Sequence, residues 1–359
     1  MLLTELTVDG LRCLSNLALK PSPGINQIIG ANGAGKTSVL EAIHIGATGH
    51  SFRSRKIRVL LGHEKEEFTI RLGLSDPVSG LSHQVGLQKT AAGDTRLRLD
   101  YQPLNSIVSV SQLLPVKVIS PDSHQLVQEG PDQRRQFMDW GQFHVNLEFL
   151  DIWKNYRRAL RQRNQILKLY SNSPEVPAWD EKLSESGEAL DAMRESYVAR
   201  LTTTLTHILQ QVGLSKPVNM SYRRGWAAES RLLDELTAEQ AQSVKPAFTT
   251  VGPHRADLML KVNRALARDV LSRGEQKLLV YALHMAQLAL SIEITGRHPV
   301  VLIDDLAAEL DEAHQSLVLE TLQSLGCQVF ITGNEAIKTI AGINNQTFYL
   351  QGSKATEVV

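Results

Sequence analysis

The chain has 359 residues, room for two ordinary domains or one large domain with an insertion. Hydrophobic residues make up 42% and charged residues 21%, which excludes a disordered, collagen-like or membrane-spanning composition. Lys+Arg 38 against Asp+Glu 38 gives a formal net charge of zero, so any nucleic-acid surface must be a local patch, and two distant cysteines, Cys13 and Cys327, exclude a disulfide framework.

The first thirty residues carry neither a secretory leader pattern nor an apolar stretch of about eighteen residues, so a cytoplasmic location is expected. The partly alternating Leu2–Val8 and the β-branched run Ile25–Ile29 predict two strands. Ser38–His44, with apolar residues at three- and four-residue spacing and no proline, predicts a helix packed on a sheet. From about Ile57 to Ile119, short alternating pieces such as Phe68–Leu72 and Arg96–Leu99 predict antiparallel hairpins. A helix is expected over about Leu147–Tyr170, then a turn-rich connector, Ser171–Pro177. Next comes a seam of Leu183, Leu190, Met193, Tyr197, Leu201, Leu205, Ile208 and Val212 along one helix face. The two helices are expected to fold back as a short antiparallel hairpin, an arm held by core packing. After Lys245 the pattern returns to α/β: Val300–Ile303 and Gln328–Ile331 predict buried strands, with a helix over Ala313–Leu325 between them. The expected architecture is α/β, with a nucleotide-binding head built from both chain ends (residues 1–120 and 246–359) and an inserted helical lobe (121–245).

Gly30-Ala31-Asn32-Gly33-Ala34-Gly35-Lys36-Thr37 matches G-x-x-x-x-G-K-[ST] where a strand hands over to a helix. Glycines let the backbone N–H groups curl inward onto phosphate oxygens, and the helix that starts through Ser38 directs its positive end at the same point. Lys36 is expected to reach the β- and γ-phosphates of ATP, and Thr37 to bind Mg²⁺. Asp304, at the end of the apolar strand, is the expected second metal ligand, and Asp305 the group that polarises the attacking water.

Leu271-Ser272-Arg273-Gly274-Glu275-Gln276-Lys277 resembles the L-S-G-G-Q signature of the ABC-type ATPases and lies 32 residues before Asp304. Ser272 and the helix starting near Gly274 make a second anion site. In ABC-type heads this element resembles a lid on the γ-phosphate of the opposite subunit. With one P-loop and one signature, the resemblance implies an ATP-dependent homodimer pairing head to tail around two ATPs. Glu309-Leu310-Asp311 resembles the D-loop, and Thr332 falls where the class usually has a switch histidine. The Q-loop is expected within Pro121–Val127, where Gln125 is the only glutamine.

The 236 residues between Lys36 and Ser272 point to the SMC/Rad50-like branch, and within it the chain resembles the RecF family of bacterial recombination mediators. The resemblance rests on Gly30–Glu41, His50–Ser54, Pro121-Asp122 through Gly130-Pro131 to Arg134–Asp139, Gly252–Asp257 and Leu271–Lys277; Glu129 departs from it where Gly is expected. It implies slow, DNA-stimulated ATP hydrolysis used as a switch, binding of duplex and gapped DNA, and, with RecO and RecR, loading of RecA on SSB-coated gaps. No chemistry is assigned to His254 of Gly252–Asp257.

Two basic runs are the candidate DNA surface. Arg53, Arg55, Lys56 and Arg58 form one; Lys154, Arg157, Arg158, Arg161, Arg163 and Lys168 form the other, with no acidic residue over Ile152–Pro174. Arg53 follows the first helix and either meets nucleotide or DNA or is simply solvent-exposed. A solvated charged face balanced by nearby acid is the bland alternative for both runs. The ATPase subunit of a membrane transporter is the alternative function, disfavoured by the long P-loop-to-signature separation and the basic helix; no membrane partner is expected. A Rad50-type nuclease head is a third, but the arm is short and lacks a C-x-x-C hook.

Overall fold

The computed structural model describes residues 1–170, 173–241, 247–337, 345–352 and 354–358. It divides into two units: Met1–Ser123 with Gln211–Gly213 and Tyr281–Val359, and His124–Gln210 with Leu214–Val280.

The first unit opens with β1 (Leu2–Asp9), β2 (Leu17–Leu19) and β3 (Ile25–Ile29), then the P-loop helix Lys36–Thr48. β4 (Glu67–Ser75), β5 (Ser82–Thr90), β6 (Thr95–Leu99) and β7 (Gln102–Pro103) follow as a meander, and β8 (Val116–Ile119) ends this stretch. An antiparallel sheet of order β2-β1-β4-β5-β6-β7 buries its alternate apolar residues, with Leu3, Leu6, Val8, Phe68, Ile70, Leu72 and Leu74 all at 1% exposure or less.

The second unit supplies β9 (Val218–Arg223), β10 (Asp257–Val262) and β11 (Ala265–Leu266), a small antiparallel sheet. The chain then returns to the first unit for β12 (Val300–Ile303), β13 (Gln328–Gly333), β14 (Gln346–Gln351) and β15 (Lys354–Val358). The order β15-β14-β3-β13-β12-β8 makes a sheet that is parallel except at β15. All four residues of β12 are at 0% exposure, because the strand is paired on both sides and covered on both faces. The P-loop helix lies against strands of both sheets, which accounts for the burial of Val39, Leu40, Ala42 and Ile43. Burial of Val39, Leu40 and Ile43 contributes roughly 1.5–3 kcal/mol each.

In the second unit the helices Phe149–Leu169 and Val176–Gln211 run antiparallel: Arg163 meets Asp180 near the turn, and Phe149, Tyr156 and Ala159 share a core with Leu183 and Leu190. The expected arm therefore has the two helices foreseen, but Val176 and Pro177 already belong to the second helix, and residues 171–172 of the connector lie outside the described residues.

Two expectations differ from the structure. Residues 247–280 belong with the second unit rather than the head: β10 pairs with β9 from Asp257↔Arg223 to Val262↔Val218, and Asp257 holds the buried Arg134. Val116–Ile119 is no hairpin strand but the parallel edge of the second sheet, in register with Val300–Ile303. Among the described residues, the helix Arg273–Thr295 is long and apolar enough to cross a membrane, yet Leu279, Ala282, Leu283, Met285, Ala286 and Leu288 are all at 0% exposure, so interior packing accounts for its composition.

Candidate functional site

β3 ends at Ile29 and the chain turns through Gly30, Ala31, Asn32, Gly33, Ala34 and Gly35 into the helix that begins at Lys36. A Cβ on Gly30 would lie 2.5 Å from the Leu350 carbonyl, and Gly35 caps the helix at φ 99°, so neither position accepts a side chain. The first intrahelical bond is Val39 N–H to the Gly35 carbonyl. The N–H groups of Gly35, Lys36, Thr37 and Ser38 are thus left to the loop side, at the positive end of the helix. Ala31, Asn32 and Gly33 are exposed, and no atom stands within 4 Å of a Cβ built on Gly33, so the loop is open to a ligand on that side. This backbone fits a polyphosphate.

Lys36 Nζ donates to the Gly30 carbonyl at 2.7 Å, the Ala31 carbonyl at 3.0 Å and Asn334 Oδ1 at 3.1 Å, which holds the ammonium over the loop. Thr37 Oγ1 donates to Asp304 Oδ1 at 2.9 Å, joining the helix start to the end of β12. Thr332 Oγ1, at the end of β13, donates to the same Asp304 oxygen at 2.6 Å and accepts from Asp305 N–H at 3.0 Å. Asp305 itself is in the left-handed conformation, φ 58° and ψ 51°, a state that costs a non-glycine residue about 1 kcal/mol. The turn, held by Thr332, lets two successive carboxylates leave the strand in different directions. Thr332, expected at the switch-histidine position, is thus a buried clamp on both acids. A hydroxyl and a carboxylate are the hard oxygen donors that Mg²⁺ takes, and it uses few protein ligands beside phosphate and water. Thr37 and Asp304 fit that set.

In the second unit, Ser272 and Glu275 form a reciprocal cap at the start of the helix Arg273–Thr295. Ser272 Oγ accepts from Glu275 N–H at 3.3 Å, and Glu275 Oε2 accepts from Ser272 N–H at 2.8 Å. Lys216 pairs with Glu275 at 3.0 Å, and these contacts, the Ser272 N–H first, hold the Glu275 carboxyl below its ordinary range. Gly274, in the first turn of that helix, has open space around it. Asp311 of the D-loop-like segment caps the helix Glu312–Ser324, accepting from His314 N–H at 3.0 Å.

The RecF/RecN/SMC N-terminal domain model matches residues 2–348. The chain is 40% identical over 336 residues to the DNA replication and repair protein RecF of Thioalkalivibrio sulfidiphilus, covering 94% of this chain and 93% of that one. With the RecF of Shewanella baltica it is 35% identical over the full length of both. The chain belongs to the RecF family. Among solved structures, the recombination mediator RecF with ATPrS, in the RecFOR pathway, superposes with a TM-score of 0.87 at 25% identity, over 100% of this chain and 98% of that one. An Smc head bound to the winged-helix domain of ScpA gives 0.61 at 14% identity, a likeness of fold. The α/β ABC-type ATPase head expected from the motifs is the RecF fold, and the transporter alternative is set aside.

The other sequence candidates of this RecF-family chain have their own surroundings. Gln125 belongs to the second unit, where its Oε1 accepts from Gln133 at 3.0 Å. Arg53, Arg55 and Lys56 are exposed; Arg53 lies 3.9 Å from the fully buried Glu41, which also takes a two-point ion pair from Arg12 and a hydrogen bond from Ser51. On the arm, Arg157, Arg158 and Arg161 are exposed, with Arg157 5.2 Å above the Trp153 ring. Arg163, counted with them in the sequence, is fully buried and bonds Asp180, Glu239 and Thr249. Burial, with the Arg255, Arg135 and Arg163 cations, brings His254 down to about 4. Neutral, its Nδ1 accepts from the Tyr156 hydroxyl at 2.6 Å and its Nε2 donates to the Thr249 carbonyl at 3.1 Å, a structural role.

Sequence reasoning missed Glu41 and Asn334. Glu41 had a local signal in its position one turn beyond the P-loop lysine, on a face otherwise apolar. Asn334 had none.

Proposed function

We propose that this chain is an ATP-switched, DNA-binding recombination mediator. The observation that carries the reading is the convergence of Thr37 and Thr332 on one oxygen of Asp304, beside a loop of free N–H groups. MgATP, when bound, supplies the phosphoanhydride whose hydrolysis drives the switch. The N–H groups from Gly30 to Ser38, together with Lys36, neutralise the phosphates; Thr37 and Asp304 hold the metal. Asp305 accepts the proton of the attacking water, and Thr332 fixes the backbone of that residue by accepting its N–H.

In this reading Ser272 and Gly274 of one copy meet the γ-phosphate held by another, so ATP closes a homodimer and hydrolysis opens it. The exposed cations Arg53, Arg55, Lys56, Arg157, Arg158 and Arg161 supply salt-sensitive contacts to duplex and gapped DNA without reading bases. DNA that supports the dimer raises a weak ATPase rate. The RecF relationship, including a solved relative placed in the RecFOR pathway, supports partnership with RecO and RecR in loading RecA at SSB-coated gaps of a bacterial cytoplasm.

The test is retention on gapped duplex DNA with MgATPγS. Arg157, Arg158 and Arg161 changed together to Ala should weaken retention at least tenfold and flatten its salt dependence, since about three phosphate contacts are lost. Retention and salt slope equal to the parent would refute the assignment of these arginines.

A further inference from the structure

The last two residues of β13 and Asn334 just after them meet the P-loop centre at three points. Thr332 clamps Asp304 and Asp305; Gly333 is in register with Ile29, the last residue before the loop; Asn334 Oδ1 accepts from Lys36 Nζ at 3.1 Å. The segment beyond Asn334 is fixed as well. Gln27 of β3 accepts from Ile337 N–H at 2.7 Å and donates to the Ile337 carbonyl at 3.1 Å, so the residues 333–337 are tied at both ends to the strand that feeds the P-loop. Asn334 is therefore an exposed carboxamide on a short, doubly anchored loop, aimed at the one ammonium that a terminal phosphate must also use.

We propose that Asn334 is the residue by which this site tells ATP from ADP. This deepens the ATP reading and rests on it. A carboxamide has an acceptor end and a donor end. Its oxygen holds Lys36 over the loop carbonyls; the γ-phosphate, which attracts Lys36 more strongly, takes the ammonium away and accepts from the amide N–H instead. ADP has no group at the γ position, so the amide N–H of Asn334 stays without a phosphate acceptor even where the β-phosphate draws Lys36. The exchange reaches the catalytic acids through two peptide units, because Thr332 sits at the other end of the same segment. The chain has no histidine at Thr332, Gly333 or Asn334, and a neutral amide makes this sensing independent of pH across the physiological range.

The experiment measures calorimetric affinities of the full chain for MgATPγS and MgADP, and steady-state ATP turnover, for the parent, Asn334→Ala, Asn334→Asp and Lys36→Ala. Asn334→Ala should cut the preference for ATPγS over ADP by about tenfold, and turnover by a similar factor, with ADP affinity held. Asn334→Asp should lower ATPγS affinity further, since its carboxylate both retains Lys36 and repels the terminal phosphate. An ATPγS-to-ADP ratio within twofold of the parent in both variants, with Lys36→Ala losing nucleotide, overturns the role of Asn334 and leaves the P-loop reading intact. Nucleotide binding in Lys36→Ala equal to the parent overturns both. Asn334 is exposed and loop-borne, so the variants fold, and a purely structural effect would lower both affinities together, which also counts against the proposal.

Discussion

The duties proposed for Lys36, Thr332 and Asp305, in binding, metal positioning and chemistry, can be separated at the level of single side chains. Removing the Lys36 ammonium takes away the cation that the loop carbonyls hold in place, so Lys36→Ala should abolish MgATP binding in calorimetry; a dissociation constant within threefold of the parent would refute the P-loop assignment. Thr332→Val keeps the volume but deletes one donor and one acceptor, each worth about 1 kcal/mol. The Mg²⁺ concentration for half-maximal turnover should rise about tenfold, while ATP affinity in excess Mg²⁺ changes little. Asp305→Asn should retain nucleotide and lose at least a hundredfold in kcat, the usual contribution of a positioned general base. The P-loop and Asp304 were legible because their chemistry demands residues in sequence order next to a strand end. The clamp by Thr332 was not, since 28 residues separate it from Asp304 and only the parallel register of β12 and β13 brings them together. The position was found by family resemblance, and its role came from geometry.

Helices and strands carried most of what composition and period could reveal, and the exceptions share a cause. The first arm helix shows it at Arg163, which reads as one more cation of a basic run but lies on the stripe Tyr156, Ala159, Arg163, Leu167 that faces the core. The three- and four-residue spacing was visible; the buried acids that make an inward arginine tolerable, Asp180 and Glu239, come from other helices. Burial raises the Asp180 carboxyl, opposed by Arg163. Arg163→Ala would leave two buried acids without their cation, at a cost of about 3–5 kcal/mol, and should make the second unit sensitive to protease at temperatures where the parent is resistant. Arg134 and Asp257, 123 residues apart, tie the β9–β10 sheet to the helix Pro131–Val145 in the same way, which is why the head boundary read from the sequence took in 247–280. His254 adds a pH dependence. Its folded value is about 4 against about 6.5 unfolded, so between those values the unfolded chain binds a proton that the folded chain refuses, and stability falls as pH drops through that window. The loss is on the order of 2 kcal/mol after solvent screening, and is complete below about pH 4. His254→Asn keeps an acceptor for Tyr156 and should flatten the melting temperature between pH 7 and pH 5; an unchanged slope would contradict the neutral histidine.

For the whole molecule, the proposed working form is the ATP-bound dimer, with the P-loop centre of one copy completed by the signature of the other. Ser272 has two duties under this view, and they can be told apart. Its cap on Glu275 is worth about 1 kcal/mol, so Ser272→Ala should lower stability modestly. Ser272→Arg should bind ATP normally yet fail to dimerise in sedimentation velocity. Specific ATPase activity against protein concentration, with and without gapped duplex DNA, tests the central claim most directly. Activity per molecule should rise with concentration, and DNA should shift the curve to lower concentration. A rate that stays flat and indifferent to DNA would contradict a composite site closed on DNA.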